Sequence, residues 1–261
     1  MAFAPGFPSA SHAVSELDGA PPWTPPELSL VCLDIDDTLI DFTAAGRSSL
    51  ESLIGRADMW PLWERITDDH VARVVAGDLA YADMHTTRTR AFLAELGVAV
   101  DAAQAGEFER RRKERLWRSL RLFDDVLPCL EWLVAAGVKL AAVTNASGGH
   151  QRDKLARLGL AGFFDHVAIA GEMGVAKPDP VMFHKVCSAV GCDPARAVHV
   201  GDKLTTDAVG ARDAGLGGVW LDRRGRDDVD VPAGVHVLRT LSQLPELLVS
   251  EFARLGVPVQ R

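Results

Sequence analysis

Cysteine is scarce in this chain: four in 261 residues, at Cys32, Cys129, Cys187 and Cys192. Cys32 and Cys129 sit in apolar surroundings, as small core residues do. Cys187 and Cys192 have four residues between them and no second pair at zinc-ligand spacing. The pattern argues against a zinc site and against a disulfide framework, which fits a reducing compartment. No apolar run is long enough to cross a bilayer. Residues 1–27 hold no Lys or Arg and no continuous apolar stretch, so they do not read as a signal peptide. Their prolines, from Pro5 to Pro26, make them a poorly ordered tail. The expected location is the cytoplasm. Positive charge is also in deficit, with a net charge of −8. That balance argues against nucleic acid or an anionic membrane as partner. It leaves room for a small anionic substrate, because a local cation can reverse the sign of one site.

What remains is an ordinary globular composition, 48% hydrophobic and 25% charged, with two textures. From Phe42 to Asp125 the apolar spacing is helical throughout: Phe42–Arg56, Trp60–Val75, Tyr81–Leu96 and Ala102–Leu122 are expected helices, and no strong strand interrupts them. Beyond Val126 strands and helices alternate. Strands are expected at Val138–Val143, Phe164–Ala170, Ala197–Val200, Gly218–Leu221 and Val235–Leu238. Helices are expected at Leu127–Ala136, Gln151–Leu158, Pro180–Val190, Thr206–Ala214 and Leu241–Leu255. A first strand lies near residue 30. The expected fold is therefore α/β: a Rossmann-like parallel sheet flanked by helices, with an all-helical domain inserted after strand one. The expected division is a tail at 1–27, an α/β domain at 28–41 and 126–261, and a helical cap at 42–125. An insertion at that point emerges over the carboxyl edge of the sheet, where a lid belongs. The chain shows no internal repeat, and its size permits a monomer or a homodimer.

The first strand, around Leu30–Leu33, runs into Asp34-Ile35-Asp36-Asp37-Thr38. A buried strand that stops in carboxylates is costly to desolvate unless a cation, a proton or hydrogen bonds compensate. Ligands of open α/β sheets bind at that edge. The other strand ends carry matching groups: Thr144 and Asn145; Lys177 in Gly174-Val175-Ala176-Lys177-Pro178; and Gly201-Asp202 with Asp207 five residues on. This inventory suits phosphoryl transfer, which needs mainly positioning and charge neutralisation. Mg²⁺ takes oxygen ligands and only one or two carboxylates, which Asp34 and Asp202 can supply. A carboxylate can attack phosphorus, and a second can move the protons.

These four segments, in this order and spacing, resemble the four motifs of the haloacid dehalogenase superfamily over roughly residues 28–250, and the helical insertion resembles that family's α-helical cap. The resemblance implies that Asp34 is the nucleophile. It makes Asp36 the general acid and base, with its backbone carbonyl on Mg²⁺. Asp202 becomes a metal ligand, and Asp207 a ligand through water or a partner of the ligands. Thr144, with Thr38 and Asn145, binds phosphoryl oxygens. Lys177 neutralises the phosphoryl group and orients Asp34. Family members that attack carbon lack an aspartate two residues after the nucleophile, so Asp36 favours phosphate chemistry. Asp37 is assigned to the turn that follows.

Each residue alone has a plainer reading: Asp in a turn, Thr144-Asn145 as a helix cap, Lys177 on the surface, Asp207 in a first helical turn. The combination carries the expectation. The run Arg110-Arg111-Arg112-Lys113, interleaved with Glu107, Glu109 and Glu114, reads as a solvated, ion-paired helix face. Trp60, Trp63 and Trp117 read as anchors of the cap core, and His150 and His199 as structural. The expected activity is a Mg²⁺-dependent phosphatase for a small phosphorylated metabolite: a nucleotide, flavin mononucleotide or sugar phosphate. The alternatives are a sugar phosphomutase, which would need a sugar bisphosphate; a 2-haloacid dehalogenase, which would release halide; and a non-catalytic binding module, which would turn over nothing.

Overall fold

A computed structural model of the chain describes residues 28–252 except Ser147 and Gly149. The tail expected at 1–27 and the end of the last expected helix lie outside the described residues. Six strands form one parallel sheet: β1 (Leu30–Leu33), β2 (Lys139–Thr144), β3 (His166–Ile169), β4 (Ala197–Gly201), β5 (Gly217–Leu221) and β6 (Val235–Leu238). Their order is β3-β2-β1-β4-β5-β6. β1 is thus central, with Leu33 level with Ala142 on one side and Val200 on the other. All four of its residues are fully buried, which explains why it reads as an unbroken apolar run rather than an alternating one.

Alternate residues of β1 feed two cores. Val31 and Leu33 face the layer that contains α5 (Val126–Ala135), α6 (His150–Arg157) and α10 (Leu244–Leu247). Leu30 and Cys32 face the layer that contains α8 (Pro180–Val190) and α9 (Gly210–Asp213). A short helix, α7 (Ala170–Met173), follows β3 at once, so that strand is shorter than its apolar run. The helix expected from Thr206 starts earlier, as a wide turn of π geometry over Leu204–Val209 that leads into α9. Among the described residues no helix is long and apolar enough to cross a membrane.

Between β1 and α5 lie four helices: α1 (Phe42–Ile54), α2 (Trp60–Val75), α3 (Tyr81–Glu95) and α4 (Ala102–Ser119). Asp41 caps α1 through the Ala44 N–H, and Asp101 and Gln104 cap α4 reciprocally. These helices enclose their own apolar cluster around Trp60, Trp63, Phe92 and Leu93. Gly46 lets α1 approach Trp60: a Cβ there would stand 2.6 Å from the indole. The two connections between sheet and cap run side by side. Ile40 pairs with Leu122, and the Asp41 N–H donates to the Arg121 carbonyl at 3.0 Å.

Candidate active site

The carboxyl ends of β1, β2 and β4 are adjacent, so the residues just past them meet. The Asp34 N–H still donates to the Val200 carbonyl, which extends β1 by one residue and holds the Asp34 side chain at the sheet edge. Lys177 arrives from the segment after α7. Its Nζ lies 2.7 Å from Asp34 Oδ1, 2.6 Å from Asp207 Oδ1 and 2.8 Å from the Val143 carbonyl. All three ammonium protons therefore have acceptors. Burial opposes the Lys177 charge, but Asp34 and Asp207 outweigh it and raise its pKa above the usual lysine range. These two carboxylates thus favour the charged form of Lys177.

The carboxylates outnumber it. Oxygens of Asp34, Asp202 and Asp207 all lie within 4.8 Å of one another. Burial, against the pull of Lys177, pushes the Asp34 pKa up to about 6. Burial and then the charges of Asp34 and Asp207 push Asp202 up to about 8. Asp207 goes the other way: burial opposes its charge, but Lys177 and His199 hold it well below the usual range. Three acids with one lysine among them leave negative charge that a divalent cation would balance, and oxygen donors suit a hard cation. Asp34 and Asp202 are the available ligands. Asp207 is already engaged by Lys177 at Oδ1 and by the Lys203 N–H, 3.0 Å from Oδ2. Gly201 makes that possible, because a Cβ on it would lie 2.3 Å from Asp207 Cγ. His199 is a buried core residue, as expected, and it also reaches Asp207 Oδ1 at 3.2 Å.

The sheet edge and the cap enclose a cavity of about 490 Å³ lined by Asp34, Asp36, Thr144, Lys177 and Asp202 from below. Trp63, Arg88 and Arg112 line it from the cap. Thr144 is buried, and its hydroxyl accepts from the Ala146 N–H at 3.2 Å. Two expected phosphate ligands are placed differently. Thr38 is fully buried, is absent from the cavity lining, and its Oγ1 has no hydrogen-bond partner. The cause lies in the preceding turn, where Asp37 adopts φ +61° and Arg223 grips the Thr38 carbonyl at 2.9 Å. Asn145 lines the cavity, but its amide is committed to Lys177: Oδ1 accepts from the Lys177 N–H at 2.8 Å and Nδ2 donates to the Lys177 carbonyl at 2.7 Å. Asn145 clamps the backbone that carries the lysine. Asp37 holds the Thr43 N–H and hydroxyl, 2.8 and 2.7 Å away.

Lys154, Gln151 and Arg88 enter the site without having been singled out in the sequence. Lys154 and Gln151 on α6 are buried and both bind the Asp36 carboxylate. Their spacing of three on a helix that follows Thr144 was the available signal. Arg112 and Glu109 correct the reading of the charge run. Arg110, Glu107 and Glu114 do form exposed ion pairs, but Arg112 is 7% exposed and Glu109 only 4%. Both share a helix face with buried Ala105 and Leu116. The step from 105 to 109, 112 and 116 is the spacing of an inward face, and charged residues occupy two of its positions.

The chain is similar to known proteins in sequence and in fold. A sequence profile described as a haloacid dehalogenase-like hydrolase matches residues 28–215. A glyceraldehyde 3-phosphate phosphatase of Methanopyrus kandleri is 31% identical over 78% of this chain and 91% of its own. A phosphoserine phosphatase of Thermus thermophilus is 30% identical over 75% of this chain and 89% of its own. A magnesium-bound hydrolase structure from Bacillus subtilis superposes with a TM-score of 0.72 at 25% identity, covering 85% of this chain and 98% of that one.

Proposed function

The chain belongs to the haloacid dehalogenase-like hydrolases and is a phosphoric monoester hydrolase, and from that premise we propose a Mg²⁺-dependent reaction on a small phosphorylated metabolite through an aspartyl-phosphate. The observation that carries the reading is the position of Lys177, bonded at once to Asp34 and Asp207, beside Asp202, whose carboxylate lies within 4.8 Å of both. Asp34, Asp202 and the Asp36 carbonyl would hold Mg²⁺, and Asp207 would steady them. When bound, Mg²⁺ neutralises phosphoryl charge and holds the group in line.

The remaining chemistry belongs to the chain. Lys177 fixes the rotation of the Asp34 carboxylate and, with the Thr144 hydroxyl, draws the phosphoryl oxygens toward it. An Asp34 oxygen attacks phosphorus. The bond from phosphorus to the leaving oxygen breaks, and Asp36 gives that oxygen its proton. Asp36, now a carboxylate, takes a proton from water. The water oxygen bonds to phosphorus, the bond to Asp34 breaks, and phosphate leaves with both aspartates restored. Lys154 and Gln151 keep Asp36 aimed through both steps. The helices of 42–125 act as the cap that excludes bulk water and meets the rest of the substrate. Four free thiols support a reducing, cytoplasmic setting.

The test is phosphate release from p-nitrophenyl phosphate with Mg²⁺ and with EDTA, for the wild type and for Asp34→Asn. Release that needs both the metal and Asp34 is expected. Turnover that survives loss of either one sinks the mechanism. A phosphomutase would use the same residues, and a strict need for a sugar bisphosphate would identify it.

A further inference from the structure

Two chain segments join the sheet to the cap, and one arginine from outside both ties them together. Arg223 lies just beyond β5, on the same carboxyl edge as Asp34 and Asp202. Its NH2 donates at 2.9 Å to the carbonyl of Thr38, on the segment that enters the cap. NH1 and NH2 also donate to the Asp125 carboxylate, on the segment that leaves the cap, at 2.8 and 2.9 Å. Arg223 Cζ stands 3.9 Å from the centre of the Phe123 ring, on that same second segment. The Phe123 N–H donates to the Leu39 carbonyl at 3.2 Å, so the two segments also meet directly.

Asp125 stands where an aspartate normally caps a helix, just before α5. It does not cap: no N–H of α5 bonds to its side chain. Its oxygens accept instead from Arg223, from the Thr240 hydroxyl and from the Leu241 N–H. Burial opposes the Asp125 charge, but the hydrogen bonds of Arg223 and Thr240 hold its carboxyl below the usual range. The fork of Arg223 therefore meets an ionised partner, the strong form of this pair. The tie is kept although the Arg223 Nε–H is buried without a partner, which costs stability. What it holds is the turn that presents Asp36. Asp37 in that turn has φ +61°, a left-handed backbone that disfavours residues with a Cβ. Thr38 is fully buried, so its carbonyl would be left unpaired among buried atoms without Arg223. A turn released there is free to shift and to carry the Asp36 carboxylate with it.

We propose that Arg223 is a positioning residue for the proton-transfer step: by tying Thr38 to Asp125 it holds Asp36 where its proton can pass to the leaving oxygen as the bond from that oxygen to phosphorus breaks. This rests on the phosphatase reading and on Asp36 as its acid. Arg223 lines neither of the two cavities that Asp36 lines, so it acts through the turn and not by touching substrate. It complements Lys154 and Gln151, which hold the Asp36 carboxylate itself, whereas Arg223 holds the backbone beside it. A planar fork can serve a carboxylate and a carbonyl at once, which a lysine ammonium does less well.

The experiment compares kcat/KM for phenyl phosphate and p-nitrophenyl phosphate. The two share a ring, but p-nitrophenolate leaves as a stabilised anion, whereas phenolate needs a proton as it leaves. A displaced acid therefore slows the first substrate more than the second, and a general loss of folded enzyme slows both alike. In Arg223→Gln, kcat/KM for phenyl phosphate should fall by about tenfold or more and that for p-nitrophenyl phosphate by about threefold or less. Arg223→Lys, which keeps the charge but loses the fork, should fall between. Asp36→Asn sets the scale of the selective loss. Arg239→Gln should leave the ratio of the two substrates unchanged, because Arg239 pairs with Asp222 and Asp227 and not with the cap connections. Circular dichroism establishes that each variant is folded, and if Arg223→Gln is not, Arg223→Lys decides alone. An equal fall on both substrates in folded Arg223 variants, beside a selective fall in Asp36→Asn, overturns this inference alone. An equal fall in Asp36→Asn as well removes the acid role of Asp36 and this inference with it. No release from either ester by the wild type removes the phosphatase reading and this inference together.

Discussion

Lys154 Nζ lies 2.7 Å from Asp36 Oδ1 and 2.8 Å from Oδ2, so a buried ammonium grips both oxygens of the proposed acid–base residue. Gln151, one turn earlier on α6, donates to Oδ2 at 3.2 Å. The Lys154 ammonium also lies 4.3 Å from the centre of the Phe42 ring, at the first residue of the cap. One side chain of the sheet layer thereby ties Asp36 to the base of the cap.

Lys154→Met keeps the length of the stem and removes the charge. The Asp36 carboxylate then loses the grip that aims it, and kcat/KM for p-nitrophenyl phosphate should fall by roughly 10- to 100-fold, part of what a positioned acid–base group supplies. Lys154→Arg should recover part of it. Wild-type kcat/KM in a folded Lys154→Met protein would mean that the contact is not used in turnover.

Metal and pH should act together on stability. An ordinary aspartate loses its proton near 3.8, but folding raises Asp34 to about 6 and Asp202 to about 8. Between those limits the folded, metal-free chain holds protons that the unfolded chain has lost. The contribution of these two groups to stability therefore falls as pH rises from about 4 to about 8. Mg²⁺ binds the ionised form and opposes that fall. The rise in Tm on adding Mg²⁺ should be larger at about pH 8 than at about pH 5.5. An equal rise at both values would contradict the placement of the metal between these carboxylates.

Asn145→Ala should act through Lys177. It leaves the Lys177 N–H and carbonyl without their present partners, at a cost of about 1 kcal/mol for each hydrogen bond lost. Activity should fall more than stability does, because the loop that delivers the ammonium to Asp34 is loosened. Equal losses in Asn145→Asp, which retains only an acceptor, would separate the two hydrogen bonds from each other. Full activity in Asn145→Ala would show that the clamp is dispensable.

Gly201→Ala and Gly106→Ala should have opposite signs. The first sets a Cβ 2.3 Å from Asp207 Cγ, whereas the second has nothing within 4 Å. Overpacking beside Asp207 should cost about 1–3 kcal/mol and blunt the response to Mg²⁺. In the interior of α4 the methyl group should stabilise by about 0.5–1 kcal/mol. Denaturant titration of both variants reads the difference directly.

The sheet and its loaded edge were legible in the sequence because a buried strand has a strict apolar signature, and the first polar residue after it marks its end. Asp34, Thr144 and Asp202 were found that way and Lys177 from the segment after the third strand, and the fold brings the four together. Thr38 shared the motif but not the place, since a turn with φ +61° at Asp37 carries it away from the cavity. That departure is a matter of backbone geometry rather than residue type.

Helical charges were the harder problem. Lys154, Gln151, Glu109 and Arg112 are residue types that normally face water, and here they are buried. Their own helices do not decide this. Lys154 turns inward because Asp36, far away in sequence, waits there, and Arg112 does so because Arg88, Trp63 and Glu109 form its surroundings. The sequence by itself determined the parallel sheet, the helical insertion and the chemistry at the strand ends, because local periodicity and chain order are enough for those. Only the tertiary structure decided which charges line the cavity, because a buried charge is stable only beside a partner, and that partner comes from another part of the chain.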